Sequence, residues 1–322
     1  MTVRPSTPDE SLPELVHVCR QMLTDEGDAL RTALADFSAS PRPGCPQELD
    51  GKAWSEDATS RGDQRRQLLG LTQHQVRLIC FNAYDHLLTL ARALGSDGAM
   101  SLYAHSSLSR VVCEAAVRFA WILDPDAGSE ERIMRGAAAL LVSADERLRG
   151  VMSIPAARFH PQLRQTMIDN CNSERDSTRE LISSSGIRLV KSGDGKKVTR
   201  LELNAPKVRV PVKLDVTDMM TKLLLDSPSW YNISSSVTHS LFWGLRDAVV
   251  SAGDEPLALA PNLMDVGAAA ECAISASGLI VSRCAAYYGY DPNPHVERSK
   301  ERRATIDDHL RRIAMTRHRP TA

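Results

Sequence analysis

The stretch from Pro261 to Tyr288 is the most apolar helix-forming run in this chain. A helix that is apolar on nearly every side has to be covered, by other helices of its own chain or by a second copy of it. The centre of the run, Ala268 to Val281, is interrupted by Glu271 and several serines, and the other apolar run, Ala137 to Val142, is short. Neither reads as a membrane span, which needs about 20 consecutive apolar residues. Met1 to Glu10 lacks the basic start and apolar run of a secretory signal. A cytoplasmic protein that does not engage a membrane is the expectation.

Helical periodicity recurs through most of the remaining chain. Leu68, Leu71, Val76, Ile79, Ala83, Leu87 and Leu90 repeat at helical steps between Arg65 and Leu94, before the break Gly95-Ser96-Asp97-Gly98. A second helix is expected over Ala99 to Leu123, where Asp124-Pro125 stops it. A third runs from Ser129 to about Met152, and a polar fourth from Ala156 to Ser184. Pro8 to Phe37 reads as one or two helices, and the Pro-, Gly- and Ser-rich stretch that follows reads as a linker. At Gly186 the pattern changes: alternating apolar residues flank Ser192-Gly193-Asp194-Gly195, a hairpin signal. Val208, Val210 and Val212 continue the alternation, and Pro206 and Pro211 place that piece at an edge. Helices resume over Asp215 to Leu225, Ser229 to Ser251 and Pro261 to Tyr288, and a charged one ends the chain at His295 to Met315.

These readings give a mainly α fold: a multi-helix bundle with a small inserted β-hairpin. The bundle is expected over 65–290, with the hairpin at about 187–214. It is preceded by an N-terminal helical segment (1–37) and a linker (38–64), and followed by a charged C-terminal helix or tail (291–322). Aromatic residues are only 5% of the 322, so Ala, Leu, Ile and Val must fill most of the core.

Formal net charge is −1, so no global field draws the chain to nucleic acid or to an anionic surface. Any such binding must use local patches. Seven cysteines are scattered without a C-x-x-C pair, which fits reduced, buried thiols and argues against a zinc ribbon. Dinucleotide, P-loop, zinc-protease and esterase motifs are missing, and no cofactor is implied. Glu14-Leu15-Val16-His17 is a lone E-x-x-H, whereas a di-iron bundle needs two.

Two polar clusters stand out on helices. Arg110, Glu114 and Arg118 lie at i, i+4 and i+8 on one face, with His105 slightly offset. They read either as a solvated ladder or as charges paired within a site. Tyr231, Ser234, Ser235, Thr238 and His239 put hydroxyls and an imidazole on one side of another helix. They could bind phosphate or sugar, serve as acid and base, or form a polar network that fixes helix register. The hairpin carries Arg188, Lys191, Lys196, Lys197, Arg200, Lys207, Arg209 and Lys213 against Asp194 and Glu202, a local excess of six positive charges. It reads as charged edge strands or as a ribbon that tracks a phosphate backbone. The tail from His295 has eight basic side chains against four acidic ones.

The runs SRVVCEAAVRFAWILDP (Ser109 to Pro125), ERIMR (Glu131 to Arg135) and WYNISSSVTHS (Trp230 to Ser240) resemble a group of actinobacterial helical proteins of unknown function. That group is distantly similar to the HEPN helical-bundle superfamily, whose members include RNases of toxin and phage-defence systems. The resemblance implies a helical bundle in which the Tyr231/His239 helix faces the Glu114/Arg118 helix. The superfamily's RNases carry an Arg followed, after four to six residues, by His. Here that spacing occurs only in the tail, at Arg303 with His309 and Arg312 with His318.

The leading expectation is therefore a helical binding or regulatory protein, RNA-associated in the HEPN-like manner. Arg110, Glu114, Arg118, Tyr231 and Ser234 would form its site, and Lys196, Lys197 and Arg200 would add affinity for phosphate. The alternatives are an RNase or hydrolase using His239, and a structural protein that dimerises through Leu263 to Tyr288. Expected partners are RNA, another protein or a second copy of the chain.

Overall fold

The computed structural model describes residues 11–55, 61–94, 101–155, 160–195, 197–203, 207–224, 230–245, 249–250, 258–259 and 261–317. The fold is mainly α, a helical bundle carrying a small antiparallel sheet. Its long helices are α1 (Ser11–Ala39), α3 (Gly62–Ala93), α4 (Ala104–Ile122), α5 (Ser129–Ser153), α6 (Pro161–Ser184), α10 (Leu263–Tyr287) and α11 (Asn293–Arg317). Shorter helices are α2 (Pro46–Ser55), α7 (Val216–Leu223), α8 (Trp230–Thr238) and α9 (Phe242–Leu245).

The apolar run forms α10, the bundle's centre. Asn262 caps it by accepting a hydrogen bond from the Met264 N–H at 2.9 Å. Gly289, at φ +83°, ends it: its N–H bonds the Ala286 carbonyl, and that of Tyr290 bonds the Ala285 carbonyl. This paired closure needs a left-handed residue, which glycine adopts without strain. In length and composition α10 could cross a bilayer, but most of it is buried inside the bundle. It packs against α4, α1 and α11.

Small side chains let these helices approach closely. A methyl group added at Gly136 of α5 would lie 2.2 Å from the Cγ2 of Thr72 on α3, and one at Gly267 of α10 would lie 2.6 Å from Leu310 of α11. All seven cysteines are buried, and none is in a disulfide.

The sheet follows α6. Gly186, at φ +91°, closes that helix in the same way as Gly289 and launches the first strand. The strands β1 (Arg188–Lys191), β2 (Val198–Leu203) and β3 (Val208–Pro211) form an antiparallel meander with β2 central. Pro211 thus sits on an edge strand, as its missing N–H requires. Leu201, Leu203 and Val210 are buried, and β2 and β3 lie against α5. A separate two-residue pair joins β4 (Val249–Val250) and β5 (Ala258–Leu259).

Two segments differ from the sequence reading. The stretch read as a linker contains α2, whose Trp54 is 1% exposed. Pro46 opens that helix, a position where its missing N–H costs nothing. The expected helix Ser229 to Ser251 stops at Thr238. The hydroxyls of Ser234, Ser236 and Thr238 bond to carbonyls three or four residues back, a pattern that weakens a helix. Ser240 then turns to φ +54°.

α2 is fastened by a buried ion pair. Arg132 of α5 donates from Nε to Asp50 Oδ2 at 3.0 Å and from Nη2 to Oδ1 at 2.6 Å. Tyr287 of α10 donates its hydroxyl to the same Oδ2 at 3.0 Å. The ion-paired side chains are only 4% and 2% exposed. On the other side of the bundle, Glu26 of α1 is held by Arg302 and Ser299 of α11.

Two stability changes follow. Asp50→Ala strands a buried guanidinium and should cost about 3–5 kcal/mol in a denaturant melt. Gly136→Ala should cost about 1–3 kcal/mol through overpacking against Thr72, and Thr72→Ala in the same chain should restore most of it.

Candidate functional site

The ladder on α4 and the polar helix α8 meet. Trp230 of α8 donates its indole N–H to Ser109 Oγ of α4 at 3.0 Å, deep in the contact. The next residue of α4, Arg110, reaches across. Its Nη2 donates to Tyr231 Oη and its Nη1 to Ser235 Oγ, both at 3.3 Å. The guanidinium carbon lies 4.9 Å from the centre of the Tyr231 ring, within cation–π range. Glu114 receives Arg110 Nε at 2.9 Å on one oxygen and Arg118 Nη2 at 3.4 Å on the other. One carboxylate thus serves two guanidinium groups. Arg110 is largely enclosed, whereas the Arg118 side chain is 49% exposed.

Arg110, Glu114 and Arg118, but not Tyr231, border a cleft of about 610 Å³ that also takes in Gln75 and Asn82 of α3, Ser107 of α4, Ser143 of α5, and Thr238 and His239. A second cleft of about 490 Å³ shares Gln75, Ile79, Arg118 and Ser143 with the first, and it ends at Val212, Lys213 and Leu214 just past β3. Together they form one groove, with His239 at one end, Arg118 in the middle and Lys213 at the other.

The remaining candidate residues fall elsewhere. Ser234 is fully buried and donates its hydroxyl to the carbonyls of Trp230 and Tyr231. It therefore belongs to the network that sets the α8 register, and Ser235 takes its place beside Arg110. His239 is exposed at the rim, and among the described residues no side chain hydrogen-bonds its imidazole. His105 is buried, and its Nδ1 has no hydrogen-bond partner among the described residues. Burial pushes its pKa down to about 4 against a backbone contact at Ser101 that raises it, so it is a neutral core histidine. Lys196 lies outside the described residues. Lys197 is exposed at the hairpin turn, where its N–H bonds Ser192 Oγ at 3.1 Å.

The basic ribbon is organised around its own acid. Strand register sets Glu202 opposite Arg188 on one side and Arg209 on the other. Glu202 pairs with Arg188, with Arg200 at 2.6 Å and with Arg209 at 3.5 Å, and its side chain is only 5% exposed. Arg200 is thus engaged within the sheet, and the exposed cations it leaves to solvent are Lys191, Lys197, Lys207 and Lys213.

No family model, curated protein or solved structure matches this chain. Its chemistry has to be read from the groove itself. Among the described residues no group of three or more His, Cys, Asp or Glu side chains is placed to hold a metal ion. Gln75, Asn82 and Ser143 were not singled out from the sequence, since each is an isolated polar residue on its own helix. The one signal was positional: Gln75 and Asn82 are two turns apart on α3 and share a face.

Burial pushes the Glu202 carboxyl up, but hydrogen bonding and charge from Arg188, with Arg200 beside it, pull it further down, to below the ordinary carboxylate range. Its contribution to the sheet is therefore complete above the unfolded-state value and is lost as pH falls through the lower folded one. The protection factors of the β2 amides, which correct for the intrinsic pH dependence of exchange, should fall on acidification across that window. In Glu202→Gln, exchange should be faster at neutral pH and lose this part of its acid response.

Proposed function

We propose that this chain is a helical binding module of the HEPN-like kind that holds a segment of single-stranded RNA along the groove between α3, α4, α5 and α8. The observation that carries the reading is the half-exposed Arg118 at the middle of a continuous groove, with Lys213 at one end. Arg110, Arg118 and Lys213 stand against Glu114 and Glu146, which leaves the groove one positive charge in excess. Hydroxyls of Ser107 and Thr238 and the amides of Gln75 and Asn82 line its walls, groups suited to ribose and phosphate oxygens. The exposed lysines of the sheet extend the favourable field beyond Lys213. Seven buried cysteines outside any disulfide fit a reducing cytoplasm.

Binding is favoured over cleavage. A general base works when a second group orients it, and His239 has no such hydrogen bond among the described residues. RNA incubated with the protein is accordingly expected to stay intact, in wild type and in His239→Ala alike.

The test is the salt dependence of binding to a labelled single-stranded RNA. Affinity should fall steeply between low and moderate salt. Arg118→Ala should weaken binding and reduce the slope of log K against log salt by about 0.7, the contribution of one phosphate contact on a single strand. Affinity that is flat with salt, or unchanged by Arg118→Ala, would sink the reading.

A further inference from the structure

On the opposite side of α3 from the groove lies a second kind of cavity. It is a slot of about 420 Å³ between α1, α3, α4 and α10, a size within the range of small-molecule pockets. Its floor is made of Val76, Phe119, Leu123, Cys284 and Tyr287, all buried. Its rim is different in character. Arg31 of α1 and Arg77 of α3 both line it, and among the described residues no Asp or Glu does. Phe81 stands at the rim with 60% of its surface exposed, a large apolar side chain that water does not favour. Arg31 has one partner, Asp28, at 3.3 Å, and both side chains are 65% exposed. Such a solvated pair is worth little and is readily exchanged. Arg77 lies close enough to the hydroxyl of Tyr288, at the same mouth, to favour its ionised form.

We propose that this slot binds a small carboxylic acid with a linear apolar body, of the medium-chain fatty acid type. The chain would lie on the Phe119, Leu123 and Cys284 floor, and the carboxylate would meet Arg31 and Arg77 at the entrance. The chemistry is complementary at both ends. A cavity this apolar gains by excluding water along the chain. Two guanidinium groups at the opening prefer an anion, and guanidinium geometry suits a carboxylate in particular. A cationic amphiphile of the same length would put like charge against both arginines.

The full-length protein titrated calorimetrically with decanoate, below its micellar concentration, tests this. Decanoate should bind saturably at one site, and decyltrimethylammonium at least tenfold more weakly. Arg31→Ala with Arg77→Ala should weaken decanoate at least tenfold while narrowing its advantage over the cation. Ala35→Trp, which places a large ring at the mouth from an exposed position on α1, should abolish binding, and its unliganded melting temperature shows that the fold is intact. The proposal is overturned if decanoate does not saturate, if anion and cation bind equally, or if binding survives Ala35→Trp. RNA binding in the groove is a separate measurement, so the two readings stand or fall independently.

Discussion

The pairing of Arg132 with Asp50 is the constraint around which the rest of this fold is arranged. A guanidinium and a carboxylate taken this far from water are tolerable only when nearly every hydrogen-bonding group on both is satisfied. Asp50 meets that condition with Arg132 and Tyr287. Arg132 meets it with Asp50 and with the carbonyls of Asp124 and Ala127 in the turn between α4 and α5. One cluster therefore fixes α2 against α5 and α10, and it fixes the turn as well. Asp124 is further held by Arg135 at 3.2 Å and by Arg283 at 3.3 Å. With that turn immobilised, the axial position of α4 is set, and so is the height at which Arg110 reaches Tyr231.

The second constraint is volume. With few aromatic residues, the bundle cannot fill wide gaps between helices, so the helices come close instead. Gly136 against Thr72 and Gly278 against Ser299 are the places where the long helices approach most tightly. Two exceptions to close packing lie on the two faces of α3. There the bundle opens into the apolar slot on one side and the polar groove on the other, and α4 borders both, with Phe119 on the slot and Arg118 in the groove.

Much of this was legible in the sequence because it depends on periodicity and on breakers. The long helices and the edge strand carrying Pro211 follow from which residues share a face, whereas the facing of the Arg110 ladder by the Tyr231 helix was expected only from the family resemblance. What escaped depends on partners distant in the chain. α2 was read as loop because Pro46, Asp50 and Gly51 look like turn residues until Arg132 is placed beside them. Ser234 looked like a neighbour of Tyr231 in a site, yet its hydroxyl turns back to its own backbone. The basic ribbon looked like six surplus charges, but register across three strands aims Arg188, Arg200 and Arg209 at a single Glu202. Local composition carries no trace of such convergence.

The buried cysteines have a practical consequence. Burial pushes the thiols of Cys19 and Cys284 up to about 12, and that of Cys80 higher still, so almost none of the reactive thiolate form exists in the native state near neutral pH. An alkylating reagent then modifies each site only when the helices around it part. Cys19 on α1, Cys80 on α3 and Cys284 on α10 are thereby native sentinels, whose separate labelling rates would record which helix of the bundle lets go first.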